Sequence, residues 1–206
     1  MRIFGIDPGS ERTGFGCVET DGRVTRLVIC GAISAPAADP FPQRLARIHR
    51  ELLAAITGCS PDCVAVESLF HAVNVRSALK LGHARGVAVL AAVEAGCPVV
   101  EYTPAEIKRA VVGYGRAEKQ QVQEMIKLLL GLAQPPSPHD AADALAVALC
   151  HLHSMPPGRL KAASTSDGAP GRLKPASTSN KEVGAGFNRP GRKPRTWREY
   201  RPPIAG

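Results

Sequence analysis

Four carboxylates stand at positions where acids do chemistry. Asp7 closes a short apolar run, residues 2–7, just ahead of Pro8-Gly9. Glu67 closes a second apolar run, residues 62–67. Asp140 and Asp143 lie three apart in a helical stretch near 139–153, so their side chains share one face. Acids crowded at a strand edge repel one another unless cations bind. Mg²⁺ takes one or two carboxylates together with water and substrate phosphate. Two such ions, about 3.5–4 Å apart, stabilise both the attacking and the leaving oxygen of a phosphodiester displacement. Each acid alone also has a structural explanation. Asp before Pro-Gly is common in turns, and an acid in the first turn of a helix meets the helix dipole. Glu67 resists that explanation most, because a buried strand end leaves an isolated charge uncompensated.

The elements that must bring these acids together follow from periodicity. Residues 2–7, 13–19 and 24–34 read as three strands, with Asp21-Gly22 as a two-residue hairpin signal. A helix near 41–56 carries Phe41, Leu45, Ile48, Leu52 and Ile56 on one face and Arg44, Arg47 and Glu51 on the other. A strand over 62–67, a long helix over 75–95 and a strand over 98–102 imply parallel pairing with a right-handed crossover. Helices near 103–111, 118–130 and 139–153 complete the chain's ordered part. The expected fold class is α/β: a mixed five-stranded sheet, three strands antiparallel and two parallel, flanked by helices. Ligands gather at the carboxyl ends of such strands. Asp7 and Glu67 meet there if their strands are neighbours, and the last helix need only cross that edge.

Charge divides the chain in two. Its 206 residues carry a net charge of +8, and residues 1–154 hold 15 basic and 15 acidic side chains. The excess therefore sits in 155–206, with 11 basic and 3 acidic residues among 8 Pro and 7 Gly. That composition buries too little apolar surface to offset its ordering entropy, so a disordered basic Pro/Gly/Ser-rich tail is expected after a domain spanning 1–154. A basic tail on a neutral body points to a polyanion or to simple solvation. The tail holds a near-duplicate, residues 158–167 and 171–180, without a hydrophobic face to stack. Trp197 and Tyr200 lie among Arg195, Arg198 and Arg201, an interleaving able to touch DNA or a partner protein.

No apolar run reaches the roughly 18–20 residues of a membrane span, and the N-terminus is too soon charged for a secretory signal. Membrane, collagen-like and wholly disordered classes are excluded. Six cysteines form no C-x-x-C pair, and the loose Cys59/Cys63 spacing has no second pair to complete a zinc site. Reduced thiols and a cytoplasmic location are the expectation.

The residues also carry a family pattern. Gly5-Ile6-Asp7-Pro8-Gly9-Ser10, Thr13-Gly14-Phe15-Gly16, Glu67, the run Ser77 to Ala88 with Gly82-His83-Ala84-Arg85-Gly86, Val111-Val112-Gly113, Ala117-Glu118-Lys119 and Asp140-Ala141-Ala142-Asp143-Ala144-Leu145-Ala146 occur in order. Over roughly 1–153 the chain resembles the RuvC family of Holliday junction resolvases. The resemblance implies a ribonuclease H-like fold, a homodimer and Mg²⁺-dependent paired nicking of four-way junction DNA, leaving 5′-phosphate and 3′-hydroxyl ends. It implies two ions per site, with Mn²⁺ able to substitute, held by Asp7, Glu67, Asp140 and Asp143, with Asp7 bridging. It implies DNA contacts from Lys108 and Lys119, and from Phe70 as an aromatic stacked on an unpaired base. Contact with the RuvA–RuvB branch-migration complex is implied in the same way. His139 either assists proton transfer, ligates metal or is incidental.

Two other classes bear on the same residues. Asp7-x-Gly9-Ser10-x-x-Thr13-Gly14 also resembles the first phosphate loop of actin-like ATPases and sugar kinases, but no second glycine-rich phosphate segment follows. A junction-binding module without catalysis is the third. In the long helix, Leu79, Gly82, Gly86, Val89 and Val93 make a face that packs either on the chain's own sheet or on a second subunit.

Overall fold

Strand alternation sets the layout. The computed structural model describes residues 1–68 and 74–155. Its strands are β1 (Arg2–Asp7), β2 (Arg12–Thr20), β3 (Thr25–Ser34), β4 (Cys63–Glu67) and β5 (Val99–Tyr102). Its helices are α1 (Phe41–Cys59), α2 (Val75–Glu94), α3 (Pro104–Val112), α4 (Lys119–Leu129) and α5 (His139–Ser154). The sheet order is β3-β2-β1-β4-β5. β1, β2 and β3 pair antiparallel, while β4 and β5 run parallel to β1. This is the expected ribonuclease H-like arrangement.

Successive side chains point to opposite faces of the sheet. Ile3, Val18, Cys63 and Ala65 meet Ile107 of α3, Val122 and Ile126 of α4, and Leu145 and Leu149 of α5. Phe4, Ile6, Cys17, Val64 and Val66 meet Ile48, Leu52 and Ile56 of α1 and the alanines Ala84, Ala88, Ala91 and Ala92 of α2. α5 is apolar nearly all round and buried almost throughout from Ala141 to Leu152. A helix of that kind belongs in the middle of a layer, so it lies directly over the central strand. There a Cβ on Gly5 would overlap the Ala144 carbonyl oxygen; only bare backbone allows the approach.

Two details differ from the sequence expectation, and a third bears on an alternative the sequence left open. The β2–β3 connection is a four-residue loop, with Thr20 and Thr25 the last pair. Asp21 Oδ1 accepts from the backbone N–H of Arg23 (2.8 Å) and Val24 (2.9 Å), which takes Val24 out of the strand. Arg44 does not share a solvent face with Arg47 and Glu51. It is buried, donates to the Ser10 carbonyl oxygen and lies 4.0 Å from the Glu11 carboxylate. The helix thereby grips the β1–β2 turn. Finally, α2 packs on the sheet through its alanines, leaving Leu79 and Val93 about three-fifths exposed. Ala78, Leu79, Gly82, His83, Gly86, Val87 and Leu90 line an open groove of about 440 Å³ on that outer face. Val89 alone of the five expected face residues leans against the core. Among the described residues no helix is long and apolar enough to cross a membrane.

Candidate active site

Register brings two of the acids side by side. β1 and β4 pair in parallel with Ile6 opposite Val66, so Asp7 and Glu67 are the next positions on both strands. Ile3, Cys63 and Ala65 face the α5 layer, and alternation turns Asp7 and Glu67 to the same side. The N-terminal end of α5 reaches them there, because a Cβ on Gly14 of β2 would overlap the Asp140 carbonyl oxygen. α5 starts after Pro138 and carries Asp140 in its first turn and Asp143 one turn on. The four acids thus converge from β1, β4 and α5.

Their mutual effect is strong. Burial, then the Glu67, Asp143 and Asp140 carboxylates, push Asp7 up from 3.8 to about 8. Burial and Asp143 also raise Glu67, although a hydrogen bond from Asp7 and the nearby Lys108 and Lys119 pull the other way. Both carboxyls of this hydrogen-bonded pair are thus held above the ordinary carboxylate range. Negative charge in this pocket exceeds what its basic neighbours offset.

Those neighbours come from three elements. Lys119, the first residue of α4, places Nζ 2.6 Å from Asp143 Oδ2, and this bond raises the lysine. Glu118 N–H donates to Gln121 Oε1 at 2.9 Å, which fixes the turn that launches Lys119. Lys108 on α3 lies within electrostatic reach of Glu67. Arg12, at the start of β2, places Nε 3.1 Å from Asp140 Oδ2. Nothing in the sequence pattern singled out Arg12, whose partner is far away along the chain. His139 has Nδ1 2.7 Å from Nε2 of the buried Gln123 on α4, so its ring is held on the α4 side. Phe70 lies outside the described residues, as does the segment 156–206.

The donor set consists of carboxylate oxygens, the type that hard divalent cations prefer. Among the described residues, no three His, Cys, Asp or Glu side chains stand ready as a coordination shell. Lys119 and Arg12 engage Asp143 and Asp140 instead. The pocket fits a divalent cation in charge and donor chemistry.

The family model for crossover junction endodeoxyribonuclease RuvC matches residues 3–151. The chain belongs to the RuvC family. The RuvC of Koribacter versatilis is 55% identical over 155 residues, covering 75% of this chain and 93% of its own. Thermus thermophilus RuvC superposes with a TM-score of 0.69 at 38% identity, covering 74% of this chain and 94% of that one. A second structure, of T. thermophilus RuvC in complex with Holliday junction substrate, gives 0.68 at 36% identity, covering 74% and 93%. RuvC enzymes are metal-dependent endonucleases. Membership gives no support to the actin-like ATPase, sugar kinase or non-catalytic readings.

Proposed function

We propose that this chain resolves four-way Holliday junctions in recombination and repair, nicking two opposed strands by metal-assisted phosphodiester hydrolysis. The observation that carries this reading is the convergence of Asp7, Glu67, Asp140 and Asp143 on one side of the sheet, with Asp7 pushed up to about 8 by burial and then by the neighbouring carboxylates. Two Mg²⁺ ions, replaceable by Mn²⁺, would supply the charge that stabilises attacking and leaving oxygens, giving 5′-phosphate and 3′-hydroxyl ends. Asp7, Glu67, Asp140 and Asp143 would hold these ions through their carboxylate oxygens. Lys119 and Lys108 hold the scissile phosphate once Lys119 leaves Asp143. Phe70, three residues beyond Glu67, stacks on a base at the junction centre.

The nuclease domain is 1–154, and 155–206 is a separate basic tail that meets DNA. Two copies pair through the outer face of α2, where Gly82 and Gly86 offer no side chain and a Cβ meets nothing within 4 Å. A twofold dimer matches the near-twofold junction and sets one site on each opposed strand. The protein works in the cytoplasm with the RuvA–RuvB complex.

The test is nicking of synthetic four-way junctions against matched duplex, with and without Mg²⁺. The junction alone is expected to be cut, and only with the ion. Asp7→Asn is expected to lower nicking by at least about a thousandfold while junction binding persists. Nicking by Asp7→Asn, or in the presence of a chelator, overturns the site assignment.

A further inference from the structure

Both acids on α5 are already paired with a base, Asp143 with Lys119 and Asp140 with Arg12. Lys119 belongs to one of the stretches that carry the family resemblance, whereas Arg12 lies between two of them, Gly5–Ser10 and Thr13–Gly16. Its position follows from packing. β2 approaches α5 so closely at Gly14 that only backbone fits beneath the Asp140 carbonyl. Arg12, two residues earlier, is thereby set beside the Asp140 side chain. Its backbone surroundings are anchored: Ala35 N–H donates to Glu11 O and Thr13 Oγ1 donates to Gly9 O, each at 2.8 Å. The side chain itself is not enclosed. Arg12 keeps 54% of its surface exposed and Asp140 30%. An ion pair that open to solvent is held weakly, and a long stem on a fixed backbone can carry the guanidinium to another anion.

We propose that Arg12 exchanges anions, covering Asp140 in the protein alone and moving to a backbone phosphate of the junction when Asp140 joins a divalent cation, so that cation binding and DNA binding are linked through this side chain. The inference rests on the reading of Asp140 as a cation ligand. The acids at the site repel a DNA backbone, and a base at their rim can grip a phosphate directly only when it is not held by Asp140. A guanidinium suits the second partner: it is planar, always charged and able to grip phosphate through two N–H groups. The linkage has two opposite signs. Arg12 competes with the cation for Asp140, so its removal strengthens cation binding without DNA. Arg12 serves DNA only once released, so its removal weakens junction binding mainly when the cation is present. A residue that merely pinned β2 to α5 would weaken both.

Full-length Arg12→Gln and Arg12→Lys, with the parent, provide the test. Ca²⁺ is the probe, titrated by calorimetry without DNA and then held at saturation during fluorescence anisotropy on a four-way junction verified as uncut. Arg12→Gln is expected to bind Ca²⁺ about two- to fivefold more tightly than the parent. With Ca²⁺ it is expected to lose about five- to tenfold in junction affinity, and much less without it. Its salt slope with Ca²⁺ becomes shallower by about 0.9, the value of a single neutralised phosphate, and Arg12→Lys restores that slope. Unchanged or weaker Ca²⁺ binding by Arg12→Gln, or an equal affinity loss with and without Ca²⁺, overturns the exchange. Asp140→Asn isolates the underlying reading: parental Ca²⁺ affinity in that variant shows that Asp140 is no ligand, whatever Arg12 does.

Discussion

Asp7 joins two facts: it ends the central strand, and three further acids surround it. In the folded chain without bound cations it keeps its proton up to about pH 8, whereas an ordinary aspartate releases it near 3.8. Between those values the folded state binds more protons than the unfolded one, so the unfolding free energy falls as pH rises. Glu67, also raised, adds to the same slope. Below about pH 4 the contribution is level. Asp7→Asn removes this titration. In metal-free buffer, urea unfolding of the variant is expected to depend less on pH between 5 and 8, and at pH 8 the variant is expected to exceed the parent in stability by about 1–3 kcal/mol. A parental slope in Asp7→Asn would mean that the crowding is not felt at this side chain. Asp7 and Glu67 were legible in the sequence because a carboxylate ending an apolar strand is conspicuous there. Arg12 and Gln123 were not, because each acts on a partner that only the folded chain brings near.

The strands and helices were legible through their periods, and their ends shifted by a few residues where local hydrogen bonds decided. Asp21 illustrates this, its carboxylate lengthening the β2–β3 loop. Arg44 is a different case: helical periodicity assigns an arginine to solvent, yet the Ser10 carbonyl draws it inward. Periodicity records apolar faces and has no means of recording a buried polar clamp. Nor does it say which glycines are crowded. Gly14 and Gly82 look alike in sequence, but a Cβ on Gly14 meets the Asp140 backbone and one on Gly82 meets nothing within 4 Å. Gly14→Ala is therefore expected to cost about 1–3 kcal/mol in chemical unfolding and to displace Asp140 with it, so nicking falls by more than the folded fraction does. Gly82→Ala is expected to leave unfolding of the isolated subunit unchanged or improved by up to about 1 kcal/mol. Equal effects from the two substitutions would contradict the close passage of α5 over β2.

The charge distribution of the whole chain calls for a separate test. Residues 1–154 are balanced at 15 basic and 15 acidic side chains, so the excess of +8 belongs to the tail. Within the domain Arg12 and Lys119, beside the site, are engaged by carboxylates, which limits its long-range pull on DNA. Screening acts on exposed charges beyond about 10 Å at 0.1 M salt, and each phosphate that the tail neutralises releases counterions whatever the base sequence. Deleting 156–206 is expected to leave the unfolding free energy within about 0.5 kcal/mol of the parent, because the Pro/Gly-rich, basic composition of that segment offers little apolar surface to a core. Junction affinity at low salt is expected to fall, and the slope of log affinity against log salt to become shallower by about 0.9 for each phosphate the tail no longer neutralises. Nicking at saturating protein should persist, because all four carboxylates precede the deletion. An unchanged salt slope would assign the tail to some partner other than DNA, and a truncated chain that fails to fold would place part of the domain's stability beyond residue 155. The two outcomes are told apart by measuring unfolding before binding.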